Sequence, residues 1–362
     1  MVTTRYFHPM PPTRPSGGDG YDWLYDDESD RTAAMPAAPG GTPPPPDLPP
    51  PGGGAKPPKQ PRKRGRLRLL WLLLTLWLAF LIIVPLVAWS KITKVDATPE
   101  GEHPDDATTT WLLVGTDKRP KDTSRGRTDT ILLLTYGGGG PSVLTSIPRD
   151  SQVDIPGHGR SKVNAAYAWG GAPLLVETLE SETGLGIDGY AEIGFGGLRD
   201  VVDALGGIEI CPTEDIKDKD ARLNIKKGCQ EVDGKTALAY SRSRKAFATG
   251  DIARGQHQRE VIGAIGDAAT SPAMLNPFTY TRVATTTAES LAVGDHVSMF
   301  SFGRFAWKLA RAMGGSGRNC TVPIADMSVR WDTERATAYF AHLKNGTTDE
   351  LGDLCTEDGM RD

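Results

Sequence analysis

The feature that most constrains this chain is an uncharged apolar stretch from Leu69 to Trp89. At about 1.5 Å per residue, a helix of that length crosses a bilayer hydrocarbon core of roughly 30 Å. The stretch contains Trp71, Trp77 and Trp89, and tryptophan is enriched where a helix meets the membrane interfaces. Its one proline, Pro85, is tolerated in a transmembrane helix. The stretch therefore predicts one transmembrane helix. A cleaved signal peptide is disfavoured, because the run is too long and starts far from Met1.

The charges that flank this stretch predict its orientation. Only Lys91 and Lys94 follow it closely, whereas six basic residues lie within the ten positions before it. These six are Lys59, Arg62, Lys63, Arg64, Arg66 and Arg68. Because short cytoplasmic loops carry the excess of lysine and arginine, we expect the N-terminus in the cytoplasm and residues from about 90 onward outside the cell.

The remaining sequence divides by composition. Residues 1–60 contain a proline- and glycine-rich run with little to bury, which predicts a disordered cytoplasmic tail. We expect a basic juxtamembrane segment at 61–68, the transmembrane helix at 69–89, a linker at 90–106 and an extracellular folded domain at 107–362. The net charge of −4 argues against a nucleic-acid partner recruited by bulk positive charge.

All four cysteines lie in the expected external part. They are Cys211, Cys229, Cys320 and Cys355. An even number of cysteines in an oxidising compartment indicates disulfides. Of the three pairings, we favour nearest neighbours, since each bond then closes a modest loop and stabilises the fold by roughly 3 kcal/mol. Zinc is the competing interpretation, but no C-x-x-C motif or histidine cluster supports it.

Apolar runs alternate with helical patterns in this domain. "TWLLVGT", "TILLLTY" and "SVLTSIP" are typical of strands buried on both faces of a sheet. A helix is predicted over 162–182, then a strand "YAEIGF", a helix "GLRDVVDAL" and a strand "GIEI". Later helices are expected at 254–270, 296–313 and 332–344, with "CTVPIADMSV" as a late strand. The alternation predicts a layered α/β domain with a mixed, largely buried sheet.

Charged residues follow or precede the first three strands, in "GTDKR", "GRTD" and "IPRDS". Ligands of open α/β sheets bind where strands end, so we expect these side chains to converge. Asp117 and Asp129 each lie at a strand end, and two carboxylates suit Mg²⁺ that is shared with a phosphate. The alternative is that both aspartates pair with Arg119 and Arg127.

A second group of cations lies in "AYSRSRKAFATGDIARGQHQRE" at 239–260. An extended "SRSR" directs Arg242 and Arg244 to one side, and a helix from about Asp251 stacks Arg254 on Gln258. Like charges about 4 Å apart repel by about 1 kcal/mol in water and about 4 kcal/mol at an effective dielectric of 20. Phosphate oxygens match guanidinium groups bidentately and would relieve that repulsion, whereas the alternative is a solvated charged face.

At this point the chain resembles a known family. The segments "LLVGTDKR", "GRTDTILLLT", "TSIPRDS", "SKVNAAYAWGG", "DALGGIEI", "DGKTALAYSRSR" and "DIARGQHQREVI" occur in order over about 110–270. They are similar to those of the LytR-CpsA-Psr family, membrane-anchored glycopolymer transferases of bacterial cell walls. The resemblance implies a three-layer α/β/α sandwich that binds a polyprenyl-pyrophosphate glycan on arginines and Mg²⁺ or Mn²⁺, holds the isoprenoid in an apolar tunnel, and uses peptidoglycan as acceptor.

The resemblance also assigns roles to residues. It makes Asp117 and Asp129 the metal ligands. It makes nine residues pyrophosphate ligands or their supports: Arg119, Arg127, Arg149, Lys162, Asn164, Arg242, Arg244, Arg254 and Gln258. The expected catalytic set is Asp117, Asp129, Arg149, Arg242 and Arg244. Arg259 is expected at the surface, and nothing functional is implied for Cys320 or Cys355.

The chemistry of transfer needs an in-line phosphorus and a neutralised leaving group rather than a covalent nucleophile. Direct attack by an acceptor hydroxyl is the simpler hypothesis, with Asp129 or Asp150 as a candidate base. Hydrolysis of the carrier, or binding without reaction, are the alternatives. Seven apolar residues either line the lipid tunnel or belong to the ordinary core, and both interpretations remain open. They are Leu174, Leu175, Val176, Leu179, Val201, Val202 and Leu205.

Overall fold

A computed structural model describes residues 64–98, 104, 106–118, 126–243, 251–326 and 328–361. The side chains of residues 64–66, 251–254 and 314 lie outside that description. The expectations for the tail at 1–60 and for part of the basic segment at 61–68 therefore fall outside the described residues. One helix in the described part is long and apolar enough to span a membrane, and its apolar stretch is Leu67–Trp89.

The described residues contain thirteen strands. They are β1 (Thr93–Val95), β2 (Thr108–Thr116), β3 (Thr128–Gly137), β4 (Val143–Ser146), β5 (Gln152–Ile155), β6 (Gly159–Lys162), β7 (Gly189–Gly194), β8 (Ile208–Ile210), β9 (Ile216–Asp218), β10 (Leu223–Ile225), β11 (Gln230–Val232), β12 (Leu291–Gly294) and β13 (Arg318–Thr321). Seven of them form one mixed sheet in the order β1-β12-β7-β2-β3-β4-β13. The central strand β2 pairs parallel to β7 and antiparallel to β3.

Eight α-helices surround this sheet in the described part. They are α1 (Arg64–Trp89), α2 (Val163–Thr183), α3 (Phe195–Leu205), α4 (Gly234–Arg242), α5 (Asp251–Thr270), α6 (Pro277–Ser290), α7 (Met299–Arg311) and α8 (Thr333–Asn345). Helices α2 and α8 pack on one face of the sheet, while α7 and the group of α3, α5 and α6 pack on the other. The expected three-layer α/β/α arrangement, with one apolar helix before it, is confirmed.

The core explains why the continuous apolar runs become central strands. Trp111 to Val114 of β2 and Ile131 to Leu134 of β3 are all buried, with alternate residues on opposite faces. Such a strand loses water from both faces only when helices cover both faces. The three-layer arrangement follows from that requirement.

Two disulfides fasten the periphery of the domain. Cys211 after β8 bonds to Cys229 before β11, and Cys320 in β13 bonds to Cys355 near the C-terminal end. This is the nearest-neighbour pairing that loop length favoured.

Two local predictions were wrong. "SRSR" is not extended at its start, because Ser241 and Arg242 form the last turn of α4, which Asp233 caps by accepting from the Thr236 N–H. "CTVPIADMSV" is a strand only as far as Thr321. Beyond that residue, Val322 still donates to Ser146, but the chain then turns and Asp326 accepts from the Val329 N–H.

Candidate functional site

The site begins where β2 ends and its antiparallel neighbour β3 starts. The register shifts between Gly115 and Thr116, which pair with Thr130 and Thr128, so Asp129 lies opposite no residue of β2. Such a bulge re-aims side chains and is common next to functional sites. The bulge therefore gives Asp129 its distinct position at this sheet edge.

Asp117 follows β2 directly and is fixed by Arg127. Its Oδ1 accepts a hydrogen bond from the Arg127 backbone N–H at 2.8 Å, and its own N–H donates to the Arg127 carbonyl at 3.2 Å. Both hydrogen bonds use main-chain atoms of Arg127, whose side chain is exposed. Arg119 lies outside the described residues.

Arg149 lies three residues after the end of β4 and connects Asp129 to Asp150 and Lys162 through a series of ion pairs. Its Nη1 forms an ion pair with Asp129 Oδ1, and its Nε lies 3.6 Å from Asp150 Oδ2. Lys162 Nζ is 2.7 Å from the other oxygen of Asp150. Arg149 is 19% exposed and Asp129 25% exposed, so these charges interact in a lower dielectric than at an open surface. The sequence predicted the convergence but not this pairing.

The start of α2 holds the Arg149 turn in place. The Asn164 N–H donates to the Arg149 carbonyl at 3.2 Å, and the Val163 N–H donates to the Ser151 carbonyl at 2.9 Å. Trp331 Nε1 donates to Ser151 Oγ at 3.0 Å from the opposite side. Asn164 therefore contacts Arg149 directly, and Lys162 reaches it through Asp150, near the position that the family resemblance implied for both residues.

Arg242 and Gln258 approach from the helices. Arg242 is exposed, with its guanidinium carbon 5.2 Å from the centre of the Phe195 ring, a cation–π distance. Gln258 is buried in α5 and lines the cavity described below, as does Phe195. Arg244 lies outside the described residues, and Arg254 lies in α5 with its side chain outside the description.

Arg259 was expected at the surface, and this prediction was wrong. The side chain is 5% exposed, and its Nη2 donates to the Glu357 carbonyl at 3.2 Å. Burial lowers the pKa of Arg259, while the Glu357 carboxylate opposes that shift. The error arose because adjacent residues of α5 face different neighbours, and Arg259 faces the C-terminal segment.

His257 is buried in α5 and packs against Tyr240. Its ring centre lies 4.2 Å from that of Tyr240, and burial lowers the pKa of His257 below its ordinary value. The Tyr240 hydroxyl donates to Glu260 at 2.5 Å, and Glu260 also accepts from the Cys211 N–H at 2.7 Å. This cluster connects α4 and α5 to the first disulfide, consistent with a structural role for the histidine.

Sequence reasoning missed a buried carboxylate beneath the site. Glu192 of β7 accepts from Thr116 Oγ1 at 3.1 Å, from the Tyr167 hydroxyl at 2.9 Å and from the Tyr190 hydroxyl at 2.7 Å. Burial, reinforced by the Glu192 charge, raises the pKa of Tyr167 far above its ordinary range. Thr116 is the last residue of β2, so Glu192 anchors the strand end that carries Asp117. In the sequence, the only sign of this buried carboxylate was a glutamate inside the otherwise largely apolar strand "YAEIGF".

A cavity of about 510 Å³ lies on the sheet face that α3, α5, α6 and α7 cover, and its lining includes Gly115 and Thr130 at the strand ends that lead to Asp117 and Asp129. Its floor is the sheet, at Leu113, Thr130 and Ala191, and its walls are mainly apolar residues of α3, α5, α6 and α7. Gln258 and Thr270 both line it and are twelve residues apart in α5, which corresponds to about 18 Å along a helix. The cavity is therefore long and mainly apolar.

Of the seven candidates for the tunnel wall, two line the cavity and five pack in the core. Val201 and Leu205 line the cavity. The four candidates from α2 pack on the other face of the sheet, and Val202 belongs to a third cluster. The helical pattern of α2 indicated an apolar face, but only the topology decided which side of the sheet received it.

The donor set fits a divalent cation that a phosphate also binds. Among the described residues, no three histidine, cysteine, aspartate or glutamate side chains form a metal-binding group. Mg²⁺, however, is commonly held by one or two carboxylates together with substrate phosphates and water. Asp117 and Asp129, on facing strand ends, match that smaller requirement.

Comparisons with known proteins agree with this architecture. The model of the LytR_cpsA_psr family matches residues 88–339. A probable cell wall biosynthesis protein, LcpB of Corynebacterium glutamicum, is 42% identical over 309 residues, which cover 78% of this chain and 72% of the relative.

A second relative is the polyisoprenyl-teichoic acid–peptidoglycan teichoic acid transferase TagT of Bacillus subtilis. It is 34% identical over 205 residues, which cover 53% of this chain and 62% of the relative. The solved structure of a LytR-Csp2A-Psr enzyme from Actinomyces oris superimposes with a TM-score of 0.57 at 21% identity, over 70% of this chain and 96% of the other. The chain thus belongs to the LytR_cpsA_psr family.

Proposed function

We propose that this protein transfers a phosphate-linked glycopolymer from a polyprenyl-pyrophosphate carrier to peptidoglycan. The observation that carries the proposal is the apolar cavity of about 510 Å³, whose lining includes Thr130, the chain neighbour of Asp129 in the ion pair with Arg149. A long apolar slot next to paired cations and carboxylates matches a ligand with a hydrocarbon tail and a pyrophosphate head. The relative TagT is named as a transferase of this class.

The cations would bind the pyrophosphate. Arg149 and Lys162 now pair with Asp129 and Asp150, and Arg242 is exposed at the cavity rim beside Phe195. Guanidinium groups match phosphate oxygens bidentately, so an arriving pyrophosphate would compete with Asp129 and Asp150 for Arg149 and would give the exposed Arg242 an anionic partner. We assign supporting contacts to Arg119, Arg127, Asn164, Arg244, Arg254 and Gln258, as the family resemblance implies.

Asp117 and Asp129 are the residues that would hold Mg²⁺ or Mn²⁺. When bound, the cation supplies neutralisation of charge on the phosphate oxygens. The chain's own contribution is to fix both carboxylates at the sheet edge through the Arg127 main chain and the β3 bulge.

The proposed reaction breaks one phosphorus–oxygen bond and forms another. A hydroxyl oxygen of the acceptor attacks the phosphorus that carries the glycan, and the polyprenyl phosphate leaves with the electron pair of the broken bond. Arginine side chains stabilise the leaving phosphate, and the hydroxyl proton passes to a carboxylate. Asp129 and Asp150 are the candidates for that base, and Asp150 is the better one, because a carboxylate that holds the cation is a poor base; both are in ion pairs with Arg149 in the free protein.

The proposed location is the outer side of the cell membrane, with α1 as a single span and the N-terminus in the cytoplasm. The excess of basic residues before Leu69 supports this orientation. Peptidoglycan, the proposed acceptor, then lies on the side of the folded domain.

The test uses the full-length protein in nanodiscs with Mg²⁺, a short-chain polyprenyl-pyrophosphate glycan and peptidoglycan fragments. Mass spectrometry should detect glycan phosphate joined to peptidoglycan, and chelation of the metal should abolish that product. Release of glycan phosphate without joining would instead favour a pyrophosphatase, and binding without cleavage would favour a non-catalytic anchor.

Substitutions at the site sharpen the test. Asp129→Ala and Arg242→Ala should each reduce transfer by about 10²-fold or more, since loss of one preorganised charge contact in a reacting site costs that much. Arg160→Ala is a matched control, because Arg160 lies in β6 with an exposed side chain whose nearest carboxylate is 3.9 Å away. Near-normal transfer by either site variant would refute the assignment.

A further inference from the structure

The segment before and at the start of α6 has an unusual surface. Ala268 to Thr281 contains no charged residue, and within it Leu275 is 70% exposed and Phe278 84% exposed. Large side chains that protrude together from a folded domain indicate a surface that another apolar phase covers. This segment includes a short 3₁₀ helix, Pro272–Leu275, and the first turn of α6.

Two contacts show where this segment lies along the apolar helix α1. The ring of Tyr280 lies 5.8 Å from that of Phe80, and the Tyr280 hydroxyl donates to the Leu81 carbonyl at 3.3 Å. Further along α6, Glu289 forms a 2.9 Å ion pair with Lys91, just past the end of α1. The two helices therefore run side by side in the same direction, and α6 starts beside the middle of the span.

The depth follows from helix geometry. Phe80 is nine residues from Trp89, the last residue of the apolar stretch, or about 13 Å along the helix axis. By contrast, α7 begins near the end of α1, where the Phe302 ring lies 5.7 Å from that of Trp89. If α1 spans a bilayer, Leu275 and Phe278 lie at the depth of acyl chains, and the start of α7 lies at the interface.

Two charged residues flank this segment, and the fold accommodates Arg282, the one next to the exposed start of α6, whereas Asp267 lies five residues before Pro272. Arg282 donates from Nε to the carbonyl of Ala204 at 3.0 Å, in the last turn of α3. A helix C-terminus carries partial negative charge and exposes unpaired carbonyls, so it is a suitable partner for a guanidinium group away from water. Arg282 therefore does not oppose immersion of the residues before it.

We propose that residues 272–280 insert into the hydrocarbon of the bilayer leaflet nearest the folded domain. The occupant of this surface is lipid acyl chains, since the surface is continuous with the contact between α6 and the membrane-spanning helix. Val283 and Thr287 of the same helix line the apolar cavity, so insertion brings that cavity next to the leaflet. The proposal depends on α1 spanning a membrane and not on the transfer reaction.

The experiment measures depth with single labels on the full-length protein in lipid nanodiscs. All four native cysteines are in disulfides, so one introduced cysteine reacts selectively with an environment-sensitive fluorophore. The labelled variants are Phe278→Cys, Phe300→Cys at the start of α7 and, as a matched control on the opposite layer, Glu334→Cys of α8. Each is measured with spin-labelled lipids that carry the nitroxide near the headgroup or deep in the acyl chain.

The proposal predicts an order of depths. The label at position 278 should emit at shorter wavelength and be quenched more by the deep nitroxide than by the shallow one. The label at position 300 should show the reverse preference, and the label at position 334 should be quenched by neither. Leu275→Cys gives a second label that should behave like position 278.

Two results would overturn the proposal. Quenching at positions 275 and 278 no greater than at 334 would show that the segment lies in water. A blue-shifted emission at 278 that neither lipid quenches would show that protein, such as a second copy of this chain, covers the surface instead.

Discussion

The two faces of the central sheet differ in how completely helices fill them. On the α2 and α8 face, Leu175, Val176 and Leu179 pack against Leu112 and Ile131, and all five are buried. On the opposite face, α3, α5, α6 and α7 leave a cavity of about 510 Å³ above the same strands. One sheet thus carries a close-packed core on one side and an open cavity on the other.

The difference comes from side-chain size at the helix contacts. The packed face receives leucines and valines from α2. On the cavity face, α5 and α7 present glycine and alanine where they approach each other: a Cβ built on Gly266 would meet Ala310 only at 3.8 Å, and one on Gly303 would meet nothing within 4 Å. Close packing normally fills such gaps, so the small residues at this contact account for part of the open space.

The largest expected effect on stability tests the packed face. Leu175→Ala removes a fully buried side chain and should lower the free energy of unfolding by about 2–5 kcal/mol. Leu198→Ala, on the cavity wall, should cost clearly less, because its loss enlarges a space that already exists. Denaturant unfolding followed by circular dichroism measures both, and equal losses would contradict the contrast between faces.

A second effect tests the buried carboxylate on the packed face. Glu192→Ala leaves the hydroxyls of Thr116, Tyr167 and Tyr190 without their acceptor, and we expect a loss of about 1–3 kcal/mol for unsatisfied buried groups. Glu192→Gln retains one acceptor oxygen and should lose less. Equal unfolding midpoints for Glu192→Ala and the native protein would show that the network contributes no stability.

A smaller effect tests the cavity itself. Thr287→Trp places a large ring from α6 into the cavity and should weaken the binding of long-chain polyprenyl carriers about tenfold, since overfilling costs roughly 1–3 kcal/mol. Short-chain carriers should be affected less. Thr286→Trp is the matched control, being the half-buried neighbour on the same helix that does not line the cavity. Carrier titrations at two chain lengths compare the variants, and no dependence on chain length would argue against the cavity as the tail site.

The smallest expected effect is on pH dependence. Burial lowers the pKa of His257 from its ordinary 6.5 in the folded state, so the unfolded chain binds the proton more readily. Stability attributable to this group should therefore be constant above about pH 6.5 and fall as the pH drops below that value. His257→Gln should flatten this part of the stability profile, and an unchanged slope would show that other groups control it.

Much of the fold was predictable from sequence because its signals are local. The strands β2, β3 and β4 are continuous apolar runs, which avoid water only when helices cover both faces of their sheet. The sequence therefore predicted a buried sheet, as the structure has it. The convergence of Asp117, Asp129 and Arg149 was predictable in the same way, because antiparallel neighbours bring strand ends together. The pairing of Asp129 with Arg149 was not, since it depends on a one-residue bulge.

The sequence by itself determined the apolar span, the layered class, the charged sheet edge and the family, because each depends on periodicity, composition or ordered motifs. Only the tertiary structure decided which face of the sheet α2 would fill, that Arg259 would be buried against the C-terminal segment, and that α6 would lie along α1. These outcomes depend on contacts between residues far apart in the chain, which local patterns do not encode.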